Sequence, residues 1–318
     1  MNKSHSTTDS GTASETTTQT SGLPAHEGLL QTRPQTRPSP SKLRLAVCVI
    51  VKNEGDGILE WGLYHHLIGF DALIIVDDQS TDHTQEEVDR LSKVTTVHRH
   101  KYRRWFGGRQ VDAYQRICKK YRRRYDWIAF IDADEFIFSA KGSNIRDLLH
   151  TDTQVSAVVL PWLFFGSSGH VEKPNELVLK AYTHRGEFDN FPPNKHVKSI
   201  VRPNKVKRCQ NPHAFEVEGL TVDANGVEVT WQKRKGLLTE YADYADWRIN
   251  HYFTKSQQNW AERLKRGQLG ARTQRTAKQF ETYDKNTVSD PSAFELADKV
   301  RALMDRLGGP KKEMTDDG

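Results

Sequence analysis

Apolar side chains fall in short dense runs along the first 140 or so residues, separated by polar segments with a helical period. Leu43 to Val51 reads LRLAVCVIV, a nearly continuous apolar run closed by Lys52-Asn53-Glu54-Gly55. A run this short and this rich in β-branched residues predicts a strand buried on both faces. Ile58, Leu59, Gly62, Leu63, His66 and Leu67 then recur at helical spacing, and Gly69 supplies a stop. A second buried strand is expected at 72–76, ending in Asp77-Asp78. Thr84 and Glu87 have the spacing of a capping box for a helix reaching about Leu91. A short strand near 94–98, a break at Gly107-Gly108, a basic helix over 109–124 and the apolar strand WIAFI at 127–131 complete the pattern.

This alternation implies an α/β fold, a mostly parallel Rossmann-like sheet with helices on both faces. Ligands bind such sheets at the carboxyl ends of the strands. Three polar clusters fall at those ends: Lys52-Asn53-Glu54, Asp77-Asp78 and Asp132-Ala133-Asp134-Glu135. Beyond residue 150 the pattern loosens. A strand is expected at 155–165, short strands at 197–201 and 214–217, and a helix over 241–266.

Composition changes the picture mainly at the ends. Residues 1–41 are dense in Ser, Thr, Gln and Pro and nearly lack bulky apolar side chains, so a disordered tail is expected there. A second frayed tail is expected at 308–318. The doublet QTRPQTRP at 31–38 is a local repeat and not a structural period. No apolar run approaches the ~18 residues of a membrane span, and no signal-peptide pattern opens the chain. Three cysteines without paired spacing, Cys48, Cys118 and Cys209, fit a reducing compartment. Cytosol is the expectation, with room for peripheral contact at the inner face of a membrane.

Net charge is +6, concentrated in two places. Residues 91–130 hold twelve Lys and Arg against Asp112 and Asp126, and residues 191–210 hold six basic groups and no acidic one. Such concentration points to an anionic partner: a nucleotide diphosphate, an anionic glycan, acidic lipid or nucleic acid.

Asp132 and Asp134, two apart at the end of a strand, are expected to share a face. Paired hard oxygens suit Mg2+ or Mn2+, which also take oxygens from a diphosphate. A solvated loop is the plainer reading of a lone Asp-x-Asp, but the preceding WIAFI and its place in the sheet favour a site. Asp77 and Asp78, before Gln79-Ser80-Thr81-Asp82, read as nucleotide contacts or as helix caps.

VIVKNEGDGILEWGLYHHLIGFDALIIVDDQSTDHT, followed by WIAFIDADEF, resembles the family 2-like glycosyltransferases of the GT-A fold, and most closely the family ninety-two-type subgroup. WLFFGSSGH, KSIVRPNKV and INHYFTKS resemble later blocks of that subgroup. The resemblance implies an inverting, metal-dependent hexosyl transfer from a nucleotide-diphosphate sugar to a glycan, lipid-linked or protein acceptor. It makes 42–150 the nucleotide-sugar half of one catalytic domain and 151–307 an irregular acceptor half. Lys52, Asn53, Glu54, Asp77 and Asp78 would line the nucleotide pocket, with Arg109 or Gln110 nearby. Asp132 and Asp134 would form the donor and metal motif, His251 would complete the metal shell, and Lys255 would meet the diphosphate. For the base that an inverting displacement requires, Asp189 is favoured over Glu187, Glu216 and His213. A lone His is more commonly a packed residue, and that reading of His251 and His213 stays open.

Three rivals remain. Phosphatases with an Asp-x-Asp nucleophile place other residues after the second Asp. A nucleotidyltransferase would want a glycine-rich basic loop, of which Lys52-Asn53-Glu54-Gly55 is a poor version. RHKYRRW and KKYRRR suit single-stranded nucleic acid, but no RRM, KH or helix-turn-helix pattern accompanies them.

Overall fold

β1 (Leu45–Val51) sends alternate side chains into two helical layers, which is why it reads as an unbroken apolar run. Leu45, Val47, Val49 and Val51 join the core beneath α1 (Gly55–Leu67), with Ile58 and Leu59. Ala46 and Cys48 face the opposite way, toward Tyr114, Ile117 and Cys118 of α3 (Arg109–Tyr121). The computed structural model describes residues 43–102, 109–149, 152–244, 246–266 and 276–308, all within one compact unit. The expected tails, apart from Gly308, and the Gly107-Gly108 break lie outside the described residues.

Between these elements lie β2 (Ala72–Asp77), α2 (Thr84–Leu91) and β3 (Thr96–Lys101), and β4 (Trp127–Phe130) follows α3. β1 pairs in parallel with β2 and β4, and β2 with β3. The second half adds β5 (Glu135–Ser139), α4 (Ile145–Leu148), β6 (Val155–Phe164), α5 (Val178–Ala181), β7 (His184–Arg185) and β8 (Val197–Val201). Then come β9 (Val206–Asn211), β10 (Ala214–Val217), β11 (Leu220–Val222), β12 (Trp247–His251) and α6 (Gln257–Arg266), with α7 (Ala277–Tyr283), β13 (Val288–Ser289) and α8 (Phe294–Arg306) closing the chain. The sheet runs β3-β2-β1-β4-β8-β6-β12-β5, with β11 beside β6. β8 is antiparallel to both β4 and β6, so it joins the parallel half to the mixed half. The α/β class, the mostly parallel sheet and the helices on both faces agree with the GT-A expectation.

Three sequence expectations are corrected. The helix expected over 241–266 exists only from Gln257. Trp247 to His251 is a wholly buried strand, parallel to β6 and antiparallel to β5. Distant pairing overrides the local pattern there. Thr84 and Glu87 form no capping box, because His83 holds the N-cap position without a side-chain bond. Thr84 instead bonds Asp82 and accepts from Glu54 N at 2.9 Å, while Glu87 pairs with Arg90. Asp132 and Asp134 share no strand face: they lie in the turn between β4 and β5, where Glu135 N donates to Asp132 O at 3.1 Å.

Candidate active site

The loops after β1 and β2 are tied together by short polar side chains. Asn53 N donates to Ser80 Oγ (2.9 Å), Gly55 N to Asp82 Oδ2 (3.0 Å), and Thr81 N to Asn53 Oδ1 (2.8 Å). Asn53 takes a left-handed backbone, φ 54°, as does Lys255, φ 52°. Both line the same cavity, and such strain in non-glycine residues gathers at working sites. Asp77 is used up in its turn, accepting from Ser80 N at 3.1 Å, whereas the buried Asp78 lines the cavity.

The acidic turn is held from below and behind. Trp61 Nε1, on α1, donates to the carbonyls of Asp132 (3.1 Å) and Glu135 (2.9 Å). Glu135 Oε2 accepts from Asp132 N at 3.0 Å. Asp132 Oδ1 accepts from Gln110 Nε2 at 2.6 Å, and its Oδ2 meets Lys198 Nζ at 2.8 Å. Asp134 Oδ2 meets Arg263 Nη2, from α6, at 2.7 Å. The antiparallel register sets His251 opposite Glu135. His251 Nε2 thereby lies 3.7 Å from Asp134 Oδ1 and 4.0 Å from Glu135 Oε1. Its ring is packed against Trp162 and Phe164, with centroids at 4.4 and 4.7 Å.

Burial sets the protonation of this group. It pushes the Glu135 carboxyl well above the usual range, and the attraction of Lys198 only partly offsets it. Desolvation likewise lowers His251 despite Asp134, so the imidazole is neutral and able to ligate. At Asp132 desolvation is outweighed by Lys198, which holds the carboxylate ionised. Lys198 in turn resists its burial through Asp132 and Glu135 and stays protonated. Glu60, on α1, lines the cavity, and burial raises it to about 7 although it accepts from Val178 N and Leu179 N.

A divalent ion fits this arrangement. One atom each of Asp134, Glu135 and His251 lies within 4.8 Å of the others. Glu135 Oε1 is buried and accepts no hydrogen bond, an orphan that an ion would satisfy. Two carboxylates and an imidazole suit Mn2+ better than Mg2+.

The cavity encloses about 430 Å3 at the carboxyl ends of β1, β2 and β4. It brings together Lys52, Asn53, Glu54, Asp78, Gln110 and Lys255 with Asp132 and Asp134. Arg109 opens α3, and its side chain lies outside the described residues. Asp189 is exposed between β7 and β8 and does not line the cavity; Glu187 and Glu216 are exposed as well. His213 sits edge-on to Trp162 at 4.9 Å, and burial lowers it to about 3. Sequence reading passed over Glu60, Lys198 and Arg263, and placed Glu135 in the acidic cluster without a role of its own. The available signal for Lys198 was a lysine inside an otherwise largely apolar strand segment, VKSIV.

A cavity at the ends of parallel strands, floored by a turn with carboxylates and an imidazole close together, is where α/β proteins of this kind bind ligands. The chain matches the model of glycosyltransferase family 92 over residues 44–286 and belongs to that family. A family 92 protein of Ricinus communis is 27% identical over 167 residues, 51% of this chain and 29% of the relative. One from Oryza sativa subsp. japonica is 27% identical over 177 residues, 54% of this chain and 28% of the relative. This chain thus spans less than a third of the length of these relatives. Among solved structures, glucosyl-3-phosphoglycerate synthase of Mycobacterium tuberculosis with Mn2+, uridine diphosphate and glucosyl-3-phosphoglycerate has a TM-score of 0.29 and 18% identity over 38% of this chain and 45% of that one. S. aureus TarS 1–349 has a TM-score of 0.31 and 18% identity over 51% and 47%. Likeness at that level carries no argument about chemistry.

Proposed function

We propose that this chain transfers a hexosyl group from a nucleotide-diphosphate sugar to an acceptor hydroxyl, with inversion and with help from a divalent metal. The observation carrying this reading is the convergence, in a family 92 member, of Asp78, Asp132 and Asp134 on one cavity whose floor joins the Asp134–Glu135–His251 group. Asn53 and Asp78, at the ends of β1 and β2, would contact the nucleoside. Lys52, Lys255 and Arg263 supply positive charge for the diphosphate. Asp134, Glu135 and His251 would hold the metal, which when bound neutralises charge on a departing diphosphate. Asp132 is kept for the donor. The base is sought among carboxylates lining the cavity, Glu54, Glu176 or Glu262, in place of Asp189 outside it.

The exposed Arg122, Arg123 and Arg124 at the end of α3 support an anionic acceptor or a membrane surface as partner. Three buried, unpaired cysteines support the cytosol. Among the described residues no helix is long and apolar enough to cross a membrane.

The test is thermal unfolding with a panel of nucleotide sugars, with and without Mn2+. A ligand that binds only the native state raises Tm. One nucleotide sugar together with Mn2+ should raise it more than either alone. Stabilisation by oligonucleotides and by no nucleotide sugar would overturn the reading.

A further inference from the structure

Lys198 is the most deeply buried lysine or arginine among the described residues, 1% exposed within β8. A charge so placed is costly unless it is paired. Its ammonium lies 2.8 Å from Asp132 Oδ2 and 3.6 Å from Glu135 Oε1. The acidic turn is thereby divided. Asp132 has one oxygen on Lys198 and the other on Gln110, and it stands outside the three-donor group of Asp134, Glu135 and His251. Arg263 takes the second oxygen of Asp134 and leaves Oδ1 facing His251.

We propose that Lys198 is a positioning residue that reserves Asp132 for the nucleotide sugar and keeps it from joining the metal group. This rests on the glycosyltransferase reading above. Carboxylates on one short turn compete for a divalent ion, and nothing in the spacing of Asp132, Asp134 and Glu135 separates their roles. The separation comes from β8, antiparallel to β4, which delivers a fixed cation beside the first carboxylate and not the second. A charge-assisted bond to an ammonium that cannot leave its strand holds Asp132 toward the cavity. Lys198 also faces Glu135, so its charge sets how strongly the group attracts an ion before the diphosphate is present.

The experiment uses the full chain and calorimetric titration with two probes: Mn2+ alone, and the nucleotide sugar that most raises the wild-type Tm. Asp132→Asn should bind Mn2+ much as wild type does and the nucleotide sugar about tenfold more weakly. Lys198→Met should bind Mn2+ alone more tightly, because Asp132 is released toward the group and a repelling charge is gone. It should lose donor affinity by a similar factor, and Asp132→Asn added to it should cost little more. A merely structural lysine would instead lower both affinities together with Tm, and that result overturns the proposal. So does loss of Mn2+ binding in Asp132→Asn, which would make Asp132 a ligand, and so do additive donor losses. If Lys198→Met does not fold, Asp132→Asn decides, with Lys198→Arg as the charge-preserving variant expected to retain both affinities. A wild-type chain that binds neither probe overturns the parent reading and this inference with it.

Discussion

The indole N–H of Trp61 is shared between two carbonyls of the acidic turn, reaching Glu135 at 2.9 Å and Asp132 at 3.1 Å. A residue in the middle of α1 therefore sets the height of the carboxylates above the sheet. Trp61→Phe keeps most of the packing and leaves both carbonyls without this donor. We expect a loss of about 1–3 kcal/mol in urea unfolding, with weaker Mn2+ binding. Unchanged stability and unchanged Mn2+ binding would show that the turn holds itself.

His251→Ala removes the imidazole proposed above as a metal ligand, which burial keeps neutral. The Mn2+ concentration needed for half-maximal nucleotide-sugar turnover should rise about tenfold or more, as it should for Asp134→Asn. An unaltered metal titration with a lower Tm would make His251 only a packing residue against Trp162 and Phe164.

Glu60 gives a pH signature. Its carboxyl is raised from 4.5 to about 7 by burial, so between those values the folded chain holds a proton that the unfolded chain has lost. The contribution of Glu60 to stability therefore falls as pH rises through this window, by up to about 1.4 kcal/mol per unit. His65, pushed down to about 3 by burial, acts in the opposite direction, so the whole-protein curve mixes the two. The difference between wild type and Glu60→Gln isolates Glu60. It should decline from pH 5 to 7, and a flat difference would show that the two backbone bonds suppress the shift.

Gly62 marks where α1 presses on its neighbours. A Cβ there would lie 2.6 Å from Leu91 and 2.9 Å from Leu73 side-chain carbons. Gly62→Ala should cost about 1–3 kcal/mol by overpacking, read from the shift in the denaturation midpoint. A stabilised variant would mean that both leucines yield freely.

Replacing Arg122, Arg123 and Arg124 with Gln should weaken binding to anionic vesicles or an acidic glycan at low salt, since exposed charges act over about 8 Å at physiological ionic strength. Nucleotide-sugar affinity should not change. Its collapse would place these arginines at the diphosphate.

The parallel half was legible because strands covered on both faces must be apolar along their length, as β1 is and β2 is up to Asp77. The acidic clusters were legible because such strands end where a ligand can sit. β12 was not: Trp-Arg-Ile-Asn-His alternates apolar and polar over only five residues, too short to stand out from the helix expected there, and β5 and β6 flank it. The roles within Asp-Ala-Asp-Glu were equally hidden, since Gln110, Lys198 and Arg263 separate them and none is near in sequence. Asp189 had no motif to place it as the base, and the β7–β8 connection leaves it exposed and outside the cavity lining.

The register of β12 has a temporal consequence. Because side chains alternate along a strand, a slip of one residue would turn His251 to the opposite face of the sheet. The Asp134–Glu135–His251 group therefore cannot exist in a nascent chain that stops after its acidic turn. It forms only when a segment made more than a hundred residues later slides between β5 and β6 in the correct frame. On the metal reading proposed above, a chain misthreaded at β12 would lack the imidazole of that group, whatever the state of its first half.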